Sequence, residues 1–289
     1  MRSVLGMDIG GSSSRARLCV DGRVVAEVEG PGANVATLPP ATVKHRLTEL
    51  LTELGSIHPN ACCAGSAGAE VPEARLRLER LLESLLPSCR ISVVHDARLV
   101  LAAAQKDEGI ALISGTGSVA YGRTAAGLEA RSGGWGWPLG DDGGGAWITR
   151  EAAREVMRRA DSGQPLGELG SRLLVACGAG DAMELLGMLN AIREPMEWAA
   201  VASVVFETAD ADAAAQSVIN RAGSALSELV NLVRVVLGIE GPVVMAGGLL
   251  SNQPKLEGAV RGELGSQCIR LDEPPVAGAV WLAELELSA

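Results

Sequence analysis

An apolar run that stops in glycine occurs three times along this chain: "VLGMDIGG" (4–11), "GIALISGTG" (109–117) and "PVVMAGG" (242–248). Each run is too short for a helix. Glycine inside a helix or strand costs about 0.5–1 kcal/mol relative to alanine, so each glycine group marks the end of a short strand. Helical patterns lie between them, and strands alternating with helices of this length predict an α/β sheet covered by helices.

The pass along the chain fills in that outline. "RARLCVDGRVVAEVE" holds two strand-like pieces joined at Asp21-Gly22, a hairpin signal. "TVKHRLTELLTEL" places Val43, Leu47, Leu50, Leu51 and Leu54 on one helical face, "ACCAG" is a buried strand, and Pro72 starts a helix rich in leucine. "ISVVHD" is a strand ending at Asp96, which opens another apolar helix. The second half begins again in the same manner, with "GIALISGTGS" followed by "VAYGRTAAGLEARSGG", two strand-like pieces about a glycine. Gly11 to Gly22 and Gly117 to Gly127 are nearly equal spacings, which suggests two domains built from one strand-turn-hairpin unit. From about Asp141 to Leu237 the pattern is mainly helical, and Gly238 ends the longest helix. A short strand "QCIRL" and a helix "PVAGAVWLAELEL" complete the pattern.

Composition removes several classes of function. The 25 Lys and Arg residues against 35 Asp and Glu give a net charge of −10, the wrong sign for a phosphate-backbone binder, so no nucleic-acid partner is expected. No apolar run approaches the ~20 residues of a membrane span, and Asp8 interrupts the first run too soon for a signal peptide, which predicts a cytoplasmic protein with no membrane partner. The six cysteines show no CxxC pair and no histidine at ligand spacing, so they are expected as reduced core thiols. There is no GxxxxGK[ST], and no lysine stands beside a glycine turn, which excludes a P-loop. "GTGSVA" fits a dinucleotide fingerprint, but strand and turn follow where that fingerprint needs a helix. One glycine turn alone is no more than a tight corner. Three at strand ends, the first two flanked by Ser or Thr hydroxyls, point to a nucleotide cleft between domains.

Five segments in order, "LGMDIGGSSSR", "HDARLVLAAAQKDEGIALISGTGS", "GGWGWPLGDDGGGAWI", "VVMAGGLLSN" and "PPVAGAVWLA", resemble the motifs of the BadF/BadG/BcrA/BcrD ATPase family. The similarity is greatest to its N-acetylglucosamine kinase-like branch, within the actin, hexokinase and Hsp70 superfamily. The resemblance implies an α/β fold of two ribonuclease-H-like (actin/hexokinase-type) domains flanking an ATP and sugar cleft. It places residues 1–108 with 275–289 in an N-terminal sugar and phosphate domain, and 109–274 in a nucleotide-binding domain.

Phosphoryl transfer from ATP to a sugar needs positioned phosphates, Mg²⁺ and a base at the attacking hydroxyl. By resemblance, Asp8 holds the Mg²⁺ shell, and Gly10, Gly11, Ser12 and Ser14 form the first phosphate loop. The superfamily usually has Thr where Ser12 stands, but a hydroxyl remains. Asp96 is implied as the catalytic base; its place before an apolar helix equally suits an N-cap. His95 is a neighbour without a role. Gly115, Thr116, Gly117 and Ser118 match the second phosphate loop, with Thr116 also on the substrate side, and Gly247 and Gly248 match the adenosine turn. For the sugar, the resemblance implies Asn34, Ser66 in "GSAG" (65–68), Trp135, Gly136 and Asp141; Asn34 suits a turn equally well. Trp137 and Trp147 are expected as packing residues.

The expected activity is therefore ATP-dependent phosphorylation of an amino sugar, N-acetylglucosamine at its 6-hydroxyl foremost, with glucosamine, glucose or an N-acetylmuramic-type sugar as alternatives. Three readings of another class stand beside it. A dehydratase-activating ATPase would need cysteine ligands at a subunit face, and a DNA-reading sugar sensor would need a DNA-binding extension to a chain that is acidic and opens on its first strand. An actin-like scaffold keeps the same fold without turnover. Acyl preference depends on loop conformation near Asn34 and Trp135, and a homodimer is the form common among related kinases.

Overall fold

The computed structural model describes residues 2–55, 58–66 and 68–288. In chain order the elements are β1 (Ser3–Ile9), β2 (Ser13–Val20), β3 (Arg23–Pro31), α1 (Pro40–Glu53), β4 (Ala61–Ser66), α2 (Pro72–Leu85), β5 (Arg90–His95) and α3 (Asp96–Ala103). There follow β6 (Gly109–Ser114), β7 (Ser118–Arg123), β8 (Glu129–Gly133), α4 (Gly145–Asp161), α5 (Gly167–Cys177), α6 (Ala182–Ala191), α7 (Pro195–Val201), α8 (Ser203–Thr208) and α9 (Ala213–Leu237). The last are β9 (Val243–Ala246), α10 (Gly248–Asn252), α11 (Pro254–Leu264), β10 (Cys268–Arg270) and α12 (Pro275–Glu286). The chain divides into two compact units, Met1–Asp107 with Leu271–Ala289, and Glu108–Arg270.

The first unit is a five-stranded sheet in the order β3-β2-β1-β4-β5. Its first three strands are antiparallel neighbours, whereas β4 and β5 run parallel to β1. Asp21 and Gly22, with φ of 47° and 76°, make the tight turn between β2 and β3 that the Asp-Gly pair predicts. Alternation sends Leu5, Met7, Ile9, Ala16 and Leu18 to one face, where α1 and α2 bring Leu47, Leu50, Leu78 and Leu82. Val4, Cys19, Ala61 and Cys63 face the other way, onto Leu99 of α3 and Ala279, Val280 and Ala283 of α12. Leu76, one of the leucines that mark α2 in the sequence, points outward and is exposed.

The second unit repeats the plan: a five-stranded sheet in the order β10-β9-β6-β7-β8, with β6, β7 and β8 antiparallel and β9 and β10 parallel to β6. Its core is larger because helices α4 to α9 and α11 pack around Ile110, Leu112, Val243 and Met245. No single helix among the described residues is long and apolar enough to cross a membrane. The bent pair α5 and α6 passes that test together, and it turns Leu169, Leu173, Leu185 and Leu189 into the core.

One buried ion pair fastens this helical layer. Asp212 is the N-cap of α9, accepting from the Ala214 N–H at 2.9 Å and the Leu169 N–H at 3.0 Å. Arg159 of α4 donates to both its oxygens, at 3.2 and 3.0 Å. Burial alone raises the carboxyl, but the Arg159 guanidinium and these N–H donors outweigh it and hold the group below its ordinary value. Replacing Asp212 with Ala leaves Arg159 only Glu155 as an acidic partner, at 3.1 Å, strips the cap from α9 and should cost roughly 1–3 kcal/mol. A lowered carboxyl contributes its stability above the unfolded value of 3.8 and loses it as pH falls through the folded one. In denaturant titrations, the gap between parent and variant should therefore be full at pH 7 and shrink in acid. An equal gap at both ends would remove the ionic part of this account.

Candidate active site

In α/β sheets, ligands bind beyond the carboxyl ends of the parallel strands. In the first unit those ends are Ile9, Ser66 and His95, aligned in register across β1, β4 and β5. Asp8 lies one residue before the end of β1, directly across from Arg15 on β2. Its carboxyl is pushed up from 3.8 to about 6, first by burial and next by the negative charge of Asp96, with Arg15 opposing both.

The turn after β1 is closed by the Gly10 N–H donating to the Ser13 carbonyl at 3.0 Å. The same turn receives the chain after β3, because the Gly32 N–H donates to the Ser12 carbonyl and the Ala33 N–H to the Gly10 carbonyl, both at 3.1 Å. The loop bearing Asn34 is thus stitched to the first glycine turn. Asn34 Oδ1 accepts from the Ala36 N–H at 2.9 Å, which is the turn-forming role. Ser14 departs from expectation. It stands on the core face of β2 with Ala16 and Leu18, is 2% exposed, and its hydroxyl has no hydrogen-bond partner. The exposed hydroxyls are those of Ser12 and Ser13, and Ser13 shares the Arg15 face opposite Asp8. Strand alternation counted from Arg15 would have found Ser13.

Ser66 is fully buried at the end of β4, its carbonyl accepting from the Ala69 N–H at 3.1 Å; Ala67 of the same "GSAG" segment lies outside the described residues. Asp96 is the first residue of α3, and the N-cap is His95 instead. The Ala97 N–H is shared between His95 Nδ1 at 3.1 Å and Asp96 Oδ1 at 2.7 Å. The imidazole sits between two carboxylates, Nδ1 3.0 Å from Asp96 Oδ1 and Nε2 3.8 Å from Glu70 Oε2. His95, without a role in the sequence, is therefore the cap of α3, and its ring lies beside Asp96 with both sharing the Ala97 N–H. The Asp96 side chain remains one-third exposed (33%), open to a substrate.

In the second unit, β6 ends at Ser114 and the 115–117 turn closes through the Gly115 N–H donating to the Gly117 carbonyl at 2.9 Å. The segment before α4 lies on this turn. Ser114 and Ser118 hydroxyls donate to the Gly143 and Asp142 carbonyls at 2.9 and 2.7 Å, and the Gly145 and Ala146 N–H groups donate to Gly115 and Thr116. A Cβ on Gly117 would land 2.2 Å from Asp141 Oδ2, so glycine is required there by contact. Gly247, at φ 93°, passes so near Ser114 that a Cβ would fall 2.4 Å from its carbonyl oxygen. Around Gly248 there is open space, leaving bare backbone for a ligand beside Gly115.

Asp141 adopts the left-handed region at φ 58°, and the Gly136 N–H donates to its Oδ1 at 3.3 Å. Burial raises its carboxyl, against the Gly136 and Ser118 N–H groups that lower it. Its first duty is thus to close the 136–141 loop on the glycine turn. Trp135 is 69% exposed, with the Arg131 guanidinium 5.0 Å from its ring centre, and does not enter the core. Trp137 packs on Trp198, ring centres 6.0 Å apart, and Trp147 is half-buried against the main core. All six cysteines are free and buried or half-buried, and burial pushes every thiol up, Cys63 and Cys89 to about 11. None is suited to act as an exposed thiolate ligand.

The model of the BadF/BadG/BcrA/BcrD ATPase family matches residues 5–280. The chain belongs to this family. Among curated members of known activity, an N-acetylmuramic acid/N-acetylglucosamine kinase of Clostridium acetobutylicum is 38% identical over 169 residues, 56% of this chain and 55% of the relative. The chain thus spans a little over half the length of that relative. A crystal structure of a candidate N-acetylglucosamine kinase from Chromobacterium violaceum superposes with a TM-score of 0.76, at 25% identity, covering 98% of this chain and 99% of the other. The ROK hexokinase of Thermus thermophilus, at 18% identity, superposes over 99% of this chain and 100% of its own with a TM-score of 0.59. The fold of this BadF/BadG/BcrA/BcrD ATPase family member is therefore of the actin/hexokinase type, with one ribonuclease-H-like sheet in each unit.

Proposed function

We propose that the chain is an ATP-dependent sugar kinase acting on an amino sugar, N-acetylglucosamine at its 6-hydroxyl, with N-acetylmuramic acid the nearest competing substrate. The observation that carries this is the carboxylate pair of the first unit, where the charge of Asp96 contributes to raising Asp8 to about 6. A solvent-open acid beside a buried one divides the work of base and cation ligand. The family membership and the kinases it resembles support the same assignment.

Asp96 Oδ1 is engaged by the Ala97 N–H, so Oδ2 takes the proton of the sugar hydroxyl while the hydroxyl oxygen bonds to the γ-phosphorus and the bond to ADP breaks. His95 lies beside that carboxylate and shares the Ala97 N–H with it, which fixes the first turn of α3. Mg²⁺ is bound through one or two carboxylates together with substrate phosphates, and Asp8 fits, because a cation would relieve both its burial and its repulsion from Asp96. When bound, the ion would neutralise phosphate charge. Phosphates would meet Gly10, Gly11, Ser12 and Gly115 to Ser118, adenosine Gly247 and Gly248, and the sugar Asn34, Gly136 and the Trp135 ring. The six free thiols suit a reducing compartment, the cytoplasm.

A coupled ADP-release assay over a panel of hexoses and amino sugars tests the proposal. N-acetylglucosamine should give the highest kcat/KM, and absence of turnover with every sugar would overturn it. Trp135→Ala should raise the sugar KM roughly two- to tenfold by removing an aromatic face worth about 0.5–1.5 kcal/mol, and leave the ATP KM unchanged. Equal effects on both would place that ring outside the sugar pocket.

A further inference from the structure

A cavity of about 400 Å³ opens between α1 and α2 of the first unit. Its floor is apolar, made by Val35, Val43, Leu78 and Leu81. Its rim is cationic: Lys44, Arg77 and Arg80 line it, and among the described residues none of the three is in an ion pair. Arg75 on the same α2 shows the contrast, since it is paired with Glu79 at 3.1 Å. In a chain of net charge −10 with Asp and Glu in excess, three exposed cations without acidic partners around one apolar hollow make a local positive patch that favours an anion. The volume lies within the ~300–1,000 Å³ of small-molecule sites, and an apolar floor with a few polar groups at the edge is their usual chemistry.

The cavity is also tied to the substrate-side loop. Arg77 Nη2 donates to the Val35 carbonyl at 3.1 Å, and Val35 follows Asn34. The Asn34 turn is in turn held by the Ala36 N–H on Asn34 Oδ1 at 2.9 Å and the Leu38 N–H on the Asn34 carbonyl at 3.1 Å. We propose that this cavity is an effector site for a small amphipathic anion, an alkyl or aryl body with a single carboxylate, whose head draws Arg77 from Val35 and loosens the Asn34 turn. The site is separate from the strand-end carboxylates, and its occupancy does not depend on which sugar the protein phosphorylates.

Octanoate is the probe, with octanol and acetate standing for its two halves, titrated by calorimetry into the full chain without ATP or sugar. Octanoate should bind one per chain, and each half roughly tenfold or more weaker, since the apolar body and the charge-assisted contacts both contribute. The double variant Lys44→Gln, Arg80→Gln changes only exposed side chains and should bind octanoate roughly tenfold more weakly with an unaltered melting temperature. Amide exchange at Ala36 and Leu38 should quicken when octanoate is bound. No octanoate binding, equal binding by octanol or acetate, or an unchanged double variant would overturn the site, and unchanged exchange at Ala36 and Leu38 would overturn its action on the loop. Sugar turnover enters none of these readouts, so failure of the kinase assignment would be seen separately.

Discussion

Asp96→Asn should lower sugar phosphorylation by about 10³-fold while ATP binding stays within a factor of two, because a positioned general base contributes on the order of 10²–10⁴ in rate. The substitution is well chosen for the local structure. Asn keeps an Oδ1 to accept the Ala97 N–H that Asp96 accepts at 2.7 Å, so the first turn of α3 should survive. What it loses is the ability to take a proton. His95→Ala supplies the complementary measurement. If His95 fixes the start of α3, and with it Asp96, by accepting the Ala97 N–H at 3.1 Å, its loss should lower kcat by about tenfold and spare the ATP KM. Near-parental turnover by Asp96→Asn would move the base elsewhere.

Asp8→Asn should produce two opposite effects in one protein. Loss of the carboxylate that fits the cation should reduce turnover by roughly 10³-fold, as expected when charge neutralisation of the transferring phosphates is removed. Yet the Mg²⁺-free fold should become more stable. Asp8 is raised from 3.8 to about 6. A group held above its unfolded value penalises the fold once it ionises, so the penalty is absent below pH 3.8, grows as pH rises towards 6, and is constant above. At 1.36 kcal/mol per pH unit, Asn should gain up to about 3 kcal/mol at pH 8 and little at pH 4. Melting curves at those two pH values in EDTA check it, and a variant less stable than the parent at pH 8 would sink the idea that Asp8 is held under strain for function.

Much of the fold was legible in the residues because it rests on short-range chemistry. The glycine-terminated runs, the Asp21-Gly22 turn, the helix opened by Pro72 and the Gly238 stop all depend on backbone preferences within a few positions. The site was less legible where side-chain direction depends on a neighbour far away in sequence. Ser14 and Ser13 differ only in which face of β2 they occupy, and that is settled by the pairing of Asp8 with Arg15. Asp96 was a natural N-cap by type, but the preceding β5 delivers His95 in extended geometry at that point. Asp141 carries the right chemistry to meet a sugar, yet the Gly136 and Ser118 N–H groups engage its carboxylate locally. The Arg159–Asp212 pair joins residues 53 apart and leaves no local pattern at all.

The return of α12 to the first unit has a consequence for how the chain is made. Val276, Ala279, Val280, Leu282 and Ala283 complete the core over β1, β4 and α3, so that core has an open side until residue 286 has left the ribosome. Glu108–Arg270 is contiguous and can close its own core first. At roughly 5–20 residues per second, the N-terminal sheet waits on the order of ten seconds or more with Val4, Ala61, Cys63 and Leu99 uncovered. Birth order and folding order are thus reversed between the two halves, and the half that carries both carboxylates is finished last.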